Sequence, residues 1–228
     1  MQTIPGSPIA YWAPRSIIDA FQKYGAMANT ATPKVGVQTG DNDKFIRQWW
    51  EVSKSSMHRP ENPEESQSSK WFPCNKGGGF RKWYGNNELV INWGNDGLEI
   101  KNEKRSVIRN STYYFREGMT WGTISSAALS MRYSPSGFMF ETKGSMCFAS
   151  SHSKLMYCLA FTNSSVVKEF HKILSPTLDY HEGPMGKLPL KIERENEVVS
   201  LAEDAVPIAR EDWDAFETSW DFEKHPLV

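Results

Sequence analysis

Long hydrophobic runs are missing from this chain. No apolar stretch approaches the roughly 20 residues needed to cross a bilayer, so no membrane partner is expected. The opening MQTIPGSPIAYW lacks a basic region followed by an apolar one and does not read as a signal peptide. Cysteine is scarce. Cys74, Cys147 and Cys158 are odd in number and far apart. That argues against a disulfide framework and a zinc site, and fits reduced thiols in a cytoplasmic location. Catalytic signatures are missing too. There is no G-x-S-x-G elbow, and the adjacent Ser151 and His152 do not make a triad. His58, His152, His171, His181 and His225 lack ligand spacing, and GPMGK at residues 183–187 is too short for a phosphate-binding P-loop. The paired carboxylates Glu64 with Glu65 and Asp212 with Asp214 read as solvated faces. Binding is therefore a better class of function than catalysis.

What the chain does have is aromatic weight and an uneven charge. Its 228 residues are 39% hydrophobic and 13% aromatic, with nine Trp, which supports a packed core and argues against disorder. The net charge of -1 conceals an asymmetry. Residues 193–228 hold eleven acids and three bases, whereas residues 1–192 hold 23 bases and 16 acids. A basic body with an acidic tail fits a polyanion-binding surface.

The densest signal is residues 71–86, WFPCNKGGGFRKWYGN. Lys76, Arg81 and Lys82 surround three consecutive glycines and alternate with Trp71, Phe72, Phe80, Trp83 and Tyr84; no acid lies between Glu65 and Glu88. Glycines expose backbone N–H groups, cations attract phosphate, and aromatics stack on bases. Two readings stay open on these residues alone: a nucleic-acid cradle, or a turn between strands with core aromatics and solvated charges.

Along the chain, residues 15–24 read as a short helix, 29–33 as a linker and 35–38 as a strand. Asp41 or Asn42 would cap a helix in DKFIRQWWEV, with Phe45, Trp49 and Val52 at helical spacing. Residues 53–69 read as a polar loop. ELVINW, GNDG and LEI read as strand, hairpin turn and strand. Short strands are expected at 113–115, 121–124, 131–133 and 138–140. Helices are expected at 153–161 and 166–174, with Asn163 or Ser164 capping the second. The tail divides into two acidic amphipathic pieces, ENEVVSLAEDAV and REDWDAFETSWDF. Short strands first and helices afterwards predict an α+β fold: a mixed or antiparallel short-strand sheet with C-terminal helices.

VGVQTGDNDKFIRQWWEV, WFPCNKGGGFRKWYGN, NWGNDG, YYFREGMTWGTISS and RYSPSGFMF together resemble the target-recognition region of the adenine-specific DNA methyltransferases of type 1 BREX phage-defence systems. The opening PGSPIAYW is similar to the junction leaving the catalytic domain, and DWDAFETSWDFEKHPLV to the family stretch just after the recognition region. A looser resemblance extends to single-chain restriction–modification enzymes. Thr39, Gly40, Asn42 and Phe45 match their T-G-x-N-x-x-F pattern, and Lys76, Gly77, Arg81 and Trp83 their K-G and R-x-W/Y pattern. Asn163, Ser164, Leu188 and Pro189 match the asparagine-serine helix start and leucine-proline exit.

The resemblance implies three parts: the end of a methyltransferase domain and a linker at 1–33, a DNA target-recognition domain at 34–192, and the acidic helical start of a further region at 193–228. It implies a parent enzyme that uses S-adenosylmethionine to methylate the exocyclic amine of adenine. The cofactor glycine motif and the N-P-P-Y motif are absent; Asn62 and Pro63 supply only half of the latter. The chain is thus expected to be an inactive recognition fragment without a cofactor or metal of its own. Its expected partners are double-stranded DNA, the parent's catalytic domain and other proteins of the defence system.

Lys76, Arg81, Lys82, Lys104 and Arg105 are expected on phosphates, and Arg132, Asn86 and Ser125 on base edges. Thr39, Asn42, Arg47, Gly77 and Gly78 complete the expected DNA-binding set. Trp49, Trp83, Trp93 and Trp121 are expected mainly in the core. The alternative functions are a protein-interaction module that docks other defence components without touching DNA, and an independent enzyme with an unrecognised site. The fragment reading predicts that isothermal titration calorimetry of the purified chain with S-adenosylmethionine gives no saturable signal; a saturable one contradicts it.

Overall fold

A computed structural model describes residues 12–59, 69–124, 128–175, 179–225 and 227. The chain begins with α1 (Arg15–Lys23), β1 (Gly25–Ala26) and β2 (Ala31–Lys34), followed by α2 (Asn42–Phe45), β3 (Ile46–Gln48), β4 (Trp71–Asn75) and β5 (Leu89–Asn92). Next come α3 (Gly94–Lys101), β6 (Gly118–Thr120), β7 (Arg132–Ser134), β8 (Met139–Phe140) and β9 (Met146–Ala149). The last part is α4 (His152–Asn163), α5 (Ser165–Leu174), α6 (Glu182–Gly186), β10 (Pro189–Leu190) and α7 (Glu195–Asp214). The fold is α+β, as the sequence pattern predicts. Among the described residues, no helix is long and apolar enough to cross a membrane.

Two four-stranded sheets organise these elements. One runs β3-β5-β4-β8, the other β2-β9-β6-β7. Within the first, β4 and β8 are parallel, with Cys74 opposite Met139, and the β3–β5 and β4–β5 pairs are antiparallel. Residues 36–38 extend it beyond β8 through a parallel bridge from Val37 to Glu141, and Gln38 bridges Val107 in turn. The second sheet is antiparallel and gains an outer partner where Trp83 bridges Arg132. Apolar side chains from both sheets share one core: Phe72, Ile91, Met139 and Phe140 meet Met146 and Phe148. A second core lies between the β2-β9-β6-β7 sheet and the helices, where Met119, Trp121 and Cys147 pack with Leu155, Leu159, Val167 and Phe170. Backbones come very close where the strands cross. A Cβ on Gly36 would lie 2.0 Å from the Phe140 carbonyl oxygen, and one on Gly144 would lie 2.3 Å from that of Asn75.

Several local expectations give way to long-range pairing. The helical spacing in DKFIRQWWEV yields only the short α2, capped by Asp41, whose carboxylate accepts the Lys44 N–H at 3.1 Å. The chain then turns into β3 because residues 46–48 pair with β5, a tertiary override of local periodicity. Residues 31–33, expected in a linker, belong to β2 and pair with β9. LEI is helical: Asn95, Asp96 and Gly97 are all left-handed and turn the chain into the last part of α3. The strand expected at 121–124 lies just earlier, at β6, and residues 111–113 form a 3-10 turn. The first tail piece and the start of the second, up to Asp214, form one helix, α7, with Pro207 inside it, and residues 215–221 follow as turns. Ser164 stands at the N-cap of α5 without a side-chain bond. Asn163 turns inward, accepting the Met131 N–H at 3.0 Å and donating to the Met131 carbonyl at 2.9 Å.

His171, in the last turn of α5, is buried; neither ring nitrogen has a hydrogen-bond partner, and the ring meets Tyr180 edge-on at 5.1 Å. Burial lowers its pKa from 6.5 to about 4. The unfolded chain therefore binds more protons than the folded one between these values, so stability is full above the unfolded pKa and falls as pH drops toward 4. The expected loss is up to about 3 kcal/mol. Urea unfolding across that window should show a flatter pH slope for His171→Phe than for the natural chain; equal slopes would contradict this account.

Candidate nucleic-acid interface

The parallel strands β4, 36–38 and β8 all point toward one end of their sheet. Asn75 lies opposite Phe140, and Val37 opposite Glu141, so the loops beyond them emerge side by side. These are residues 76–79, 39–42 and 142–144. The antiparallel bridge from Gln38 to Val107 brings Lys104 and Arg105 to the same end. Gly40, with φ +79°, packs on this segment so tightly that a Cβ would lie 2.7 Å from the Arg105 carbonyl carbon. Residues 122–124 join the group, with the Thr123 N–H donating to the Lys143 carbonyl at 3.1 Å.

Glu141 holds this end together. Its buried carboxylate accepts the Thr142 hydroxyl at 2.7 Å and the Lys143 N–H at 2.8 Å, and lies 3.7 Å from Lys76 Nζ. Lys76 is thereby folded back toward an acid. Lys104, Arg105 and Lys143 are exposed and have no ion-pair partner among the described residues. Lys143 is a residue the sequence reading missed, although its place in a Thr-Lys-Gly turn between two apolar strands was a usable signal.

Other residues singled out from sequence serve the structure. Thr39 is buried and donates to Asn42 Oδ1 at 2.7 Å, fixing its turn. Arg47 donates to the carbonyls of Asp43 and Ile46 (the latter at 2.8 Å) and closes the end of α2. Gly77 and Gly78 adopt φ +94° and +106°. Asn86 donates to the Gly79 carbonyl at 2.8 Å, closing the glycine turn. Arg132 is fully buried and donates to the Gly77 carbonyl at 2.9 Å; burial lowers its pKa to about 10. It stands beneath the glycine turn and presents no donor to a groove in this conformation. Ser125 lies outside the described residues, as do Asn62 and Pro63 and most of PGSPIAYW.

Arg81 and Lys82 face away from this end, toward the helices. Arg81 donates to Asp212 at 2.7 Å, and its guanidinium lies 5.1 Å from the Trp213 ring centroid, both partners on α7. Lys82 donates to the Asn163 carbonyl at 2.6 Å, and burial with Lys168 nearby lowers its pKa. The flanking Trp83 pairs its backbone with β7, donating to Met131 at 2.9 Å and accepting from Tyr133 at 2.7 Å. Trp93 and Trp121 are buried in the two cores, Trp83 packs partly buried against the second, and Trp49 packs partly buried against a separate cluster of Met57, Val90, Phe138 and Trp220.

Cys74, Cys147 and Cys158 are free and buried, and burial pushes each thiol pKa up. They are poor nucleophiles. Among the described residues no cluster of His, Cys, Asp and Glu could hold a metal ion.

Arg81→Ala removes an ion pair exposed on its acidic side and a stack on Trp213. It should lower the unfolding free energy by about 1 kcal/mol in urea titration. Arg81→Lys should recover only part of this, since the planar contact with the indole is lost. A melt identical to that of the natural chain would show that the α7 contact contributes nothing.

No family model matches this sequence. The chain is 42% identical over 237 residues to the adenine-specific methyltransferase PglX of Lacticaseibacillus casei (strain Zhang), an alignment that covers 100% of this chain and 20% of that protein. It is 41% identical over 228 residues to the adenine-specific methyltransferase BrxX of Escherichia coli O9:H4 (strain HS), covering 99% of this chain and 18% of the relative. The chain spans about a fifth of the length of the curated relatives it matches. Along its whole length, this chain is related to one segment of the PglX and BrxX adenine-specific methyltransferases.

Proposed function

We propose that this chain is the DNA-recognition part of a site-specific adenine methyltransferase, presenting a duplex to a catalytic domain elsewhere in a longer protein. The observation that carries this reading is the set of adjacent loops at the end of the β3-β5-β4-β8 sheet, where Lys104, Arg105 and Lys143 face solvent without ion-pair partners among the described residues. Unpaired cations on neighbouring loops neutralise phosphates and set the position of a protein on DNA. The exposed Asn42 and the glycine turn at 78–79 lie on the same group of loops and would approach the groove.

In this reading methyl transfer from S-adenosylmethionine belongs to the rest of the enzyme. Two of the three glycines of the turn are closed in, which supports that division. A Cβ on Gly78 would lie 2.6 Å from Asn86 Nδ2 and one on Gly77 3.1 Å from the Lys143 carbonyl oxygen, so the space beside both is filled. Arg81 and Lys82 take a structural part, and phosphate contact passes to Lys104, Arg105 and Lys143. A second reading, docking to other defence proteins, is favoured by Leu201 and Ile208 on α7, which are 68% and 67% exposed.

Fluorescence anisotropy of a labelled duplex across a salt series separates the two. Replacing Lys104, Arg105 and Lys143 together by Ala should weaken binding and flatten the log–log salt slope by about one per lost phosphate contact. Arg81→Ala should leave the slope unchanged. A triple variant with the natural slope would remove these loops from the interface.

A further inference from the structure

Phe80 stands at the tip of the glycine turn with 54% of its surface exposed. Among the described residues it belongs to no hydrophobic cluster and to no ring pair. The backbone on either side of it is nevertheless fixed. The Gly79 carbonyl accepts from Asn86 at 2.8 Å, and the Arg81 N–H donates to Ser130 Oγ at 3.3 Å. Beyond that, the Arg81 side chain is held on α7 by Asp212 and Trp213. An aromatic ring on a flexible tip would lose entropy on insertion; a ring on a clamped tip has already lost much of it. Among the described residues nothing lies within 4 Å of a Cβ built on Gly79, which leaves the approach to the tip open on their side.

Ile124, 55% exposed, is another large apolar side chain at this end. Its segment abuts the glycine turn: a Cβ on Gly122 would lie 3.5 Å from the Gly77 Cα, 3.7 Å from the Gly78 carbonyl oxygen and 3.6 Å from that of Ile124. Lys143 sits between these loops: its carbonyl accepts from the Thr123 N–H and would lie 3.1 Å from a Cβ on Gly77. Exposed apolar side chains among unpaired cations suit a polyanion whose interior is flat and aromatic.

We propose that Phe80, supported by Ile124, is a base-stacking wedge that enters the duplex and occupies the gap left in the base stack. This rests on the DNA-recognition reading above and adds a residue role to it. Apolar wedges unstack base steps in other DNA-binding proteins, and enzymes that modify a base take it out of the stack. The wedge requires no bond making by this chain; Phe80 exchanges water contact for contact with base faces.

The test compares two labelled duplexes of one sequence, one intact and one carrying a single abasic site opposite 2-aminopurine. The natural full-length chain should bind the abasic duplex about tenfold more tightly or better, the gain expected of one base–aromatic stack, and should change the 2-aminopurine fluorescence. Phe80→Ala should lose the preference and the fluorescence change, weakening binding to the abasic duplex about tenfold more than binding to the intact one. Phe80→Trp should retain both, and Phe80→Leu should keep the apolar contact with a reduced preference, so the role is read from folded variants. If Phe80→Ala matches the natural chain on both duplexes, or weakens both equally with an unaltered melt, the wedge is overturned and the cationic interface stands. If the natural chain binds neither duplex at low salt, the DNA-recognition reading itself fails.

Discussion

The hydrogen bond from the buried Arg132 guanidinium to the Gly77 carbonyl is the contact on which the rest of this structure turns. It joins the edge strand of the β2-β9-β6-β7 sheet to the loop leaving the centre of the other sheet. A few residues later the same segment pairs again with β7, through the backbone of Trp83. From β4 the chain therefore leaves one sheet, lies along the edge of the second through Trp83 and returns to the first at β5. Burying a guanidinium is costly without a compensating acceptor, and its depressed pKa is the signature of that cost. The return is rigidity: the glycine turn above Arg132 is fixed from below by Gly77 and from the side by Asn86.

That rigidity divides the cations of the body into two groups. Lys76, Arg81, Lys82, Arg47 and Arg132 are bound to carbonyls or carboxylates within the fold. Lys104, Arg105 and Lys143 remain toward solvent at the end of one sheet. The acidic tail takes part in this division. Through α7 it packs on α4, places Asp212 and Trp213 over Arg81, and joins Arg210, Asp221 and Arg59 in an ion-pair group. The charge asymmetry of the sequence is thus partly cancelled inside the molecule, and Lys104, Arg105 and Lys143 are among the cations left exposed.

The helices α4 and α5 were legible for different reasons. α5 carries an apolar face at helical period, and α4 is a long, mostly buried run that Ser151 caps. β9 was not legible: MCFA is buried almost throughout, so it shows no alternation to mark a half-buried strand. β3 was misread as helix because Phe45, Trp49 and Val52 around it fall at helical spacing, and only pairing with β5 overrides that. At the candidate interface, the basic and glycine-rich character of residues 76–82 was plain, but the direction of each side chain was not. Sequence spacing cannot show that Arg81 and Lys82 turn toward Asp212 and Asn163, residues 131 and 81 positions away.

By itself, the sequence determined the α+β class, the absence of a long apolar span, the basic body with its acidic tail, and the relationship to the adenine-specific methyltransferases. These follow from composition, local periodicity and motifs, which are properties of short stretches of chain. Tertiary structure alone decided which cations remain exposed, which glycines are filled in by neighbours, and which aromatics stand in solvent. Each of those depends on partners distant in sequence. Lys143 and Phe80 face outward because Glu141, Asn86, Ser130 and α7 hold the surrounding backbone in place, and no local pattern encodes that arrangement.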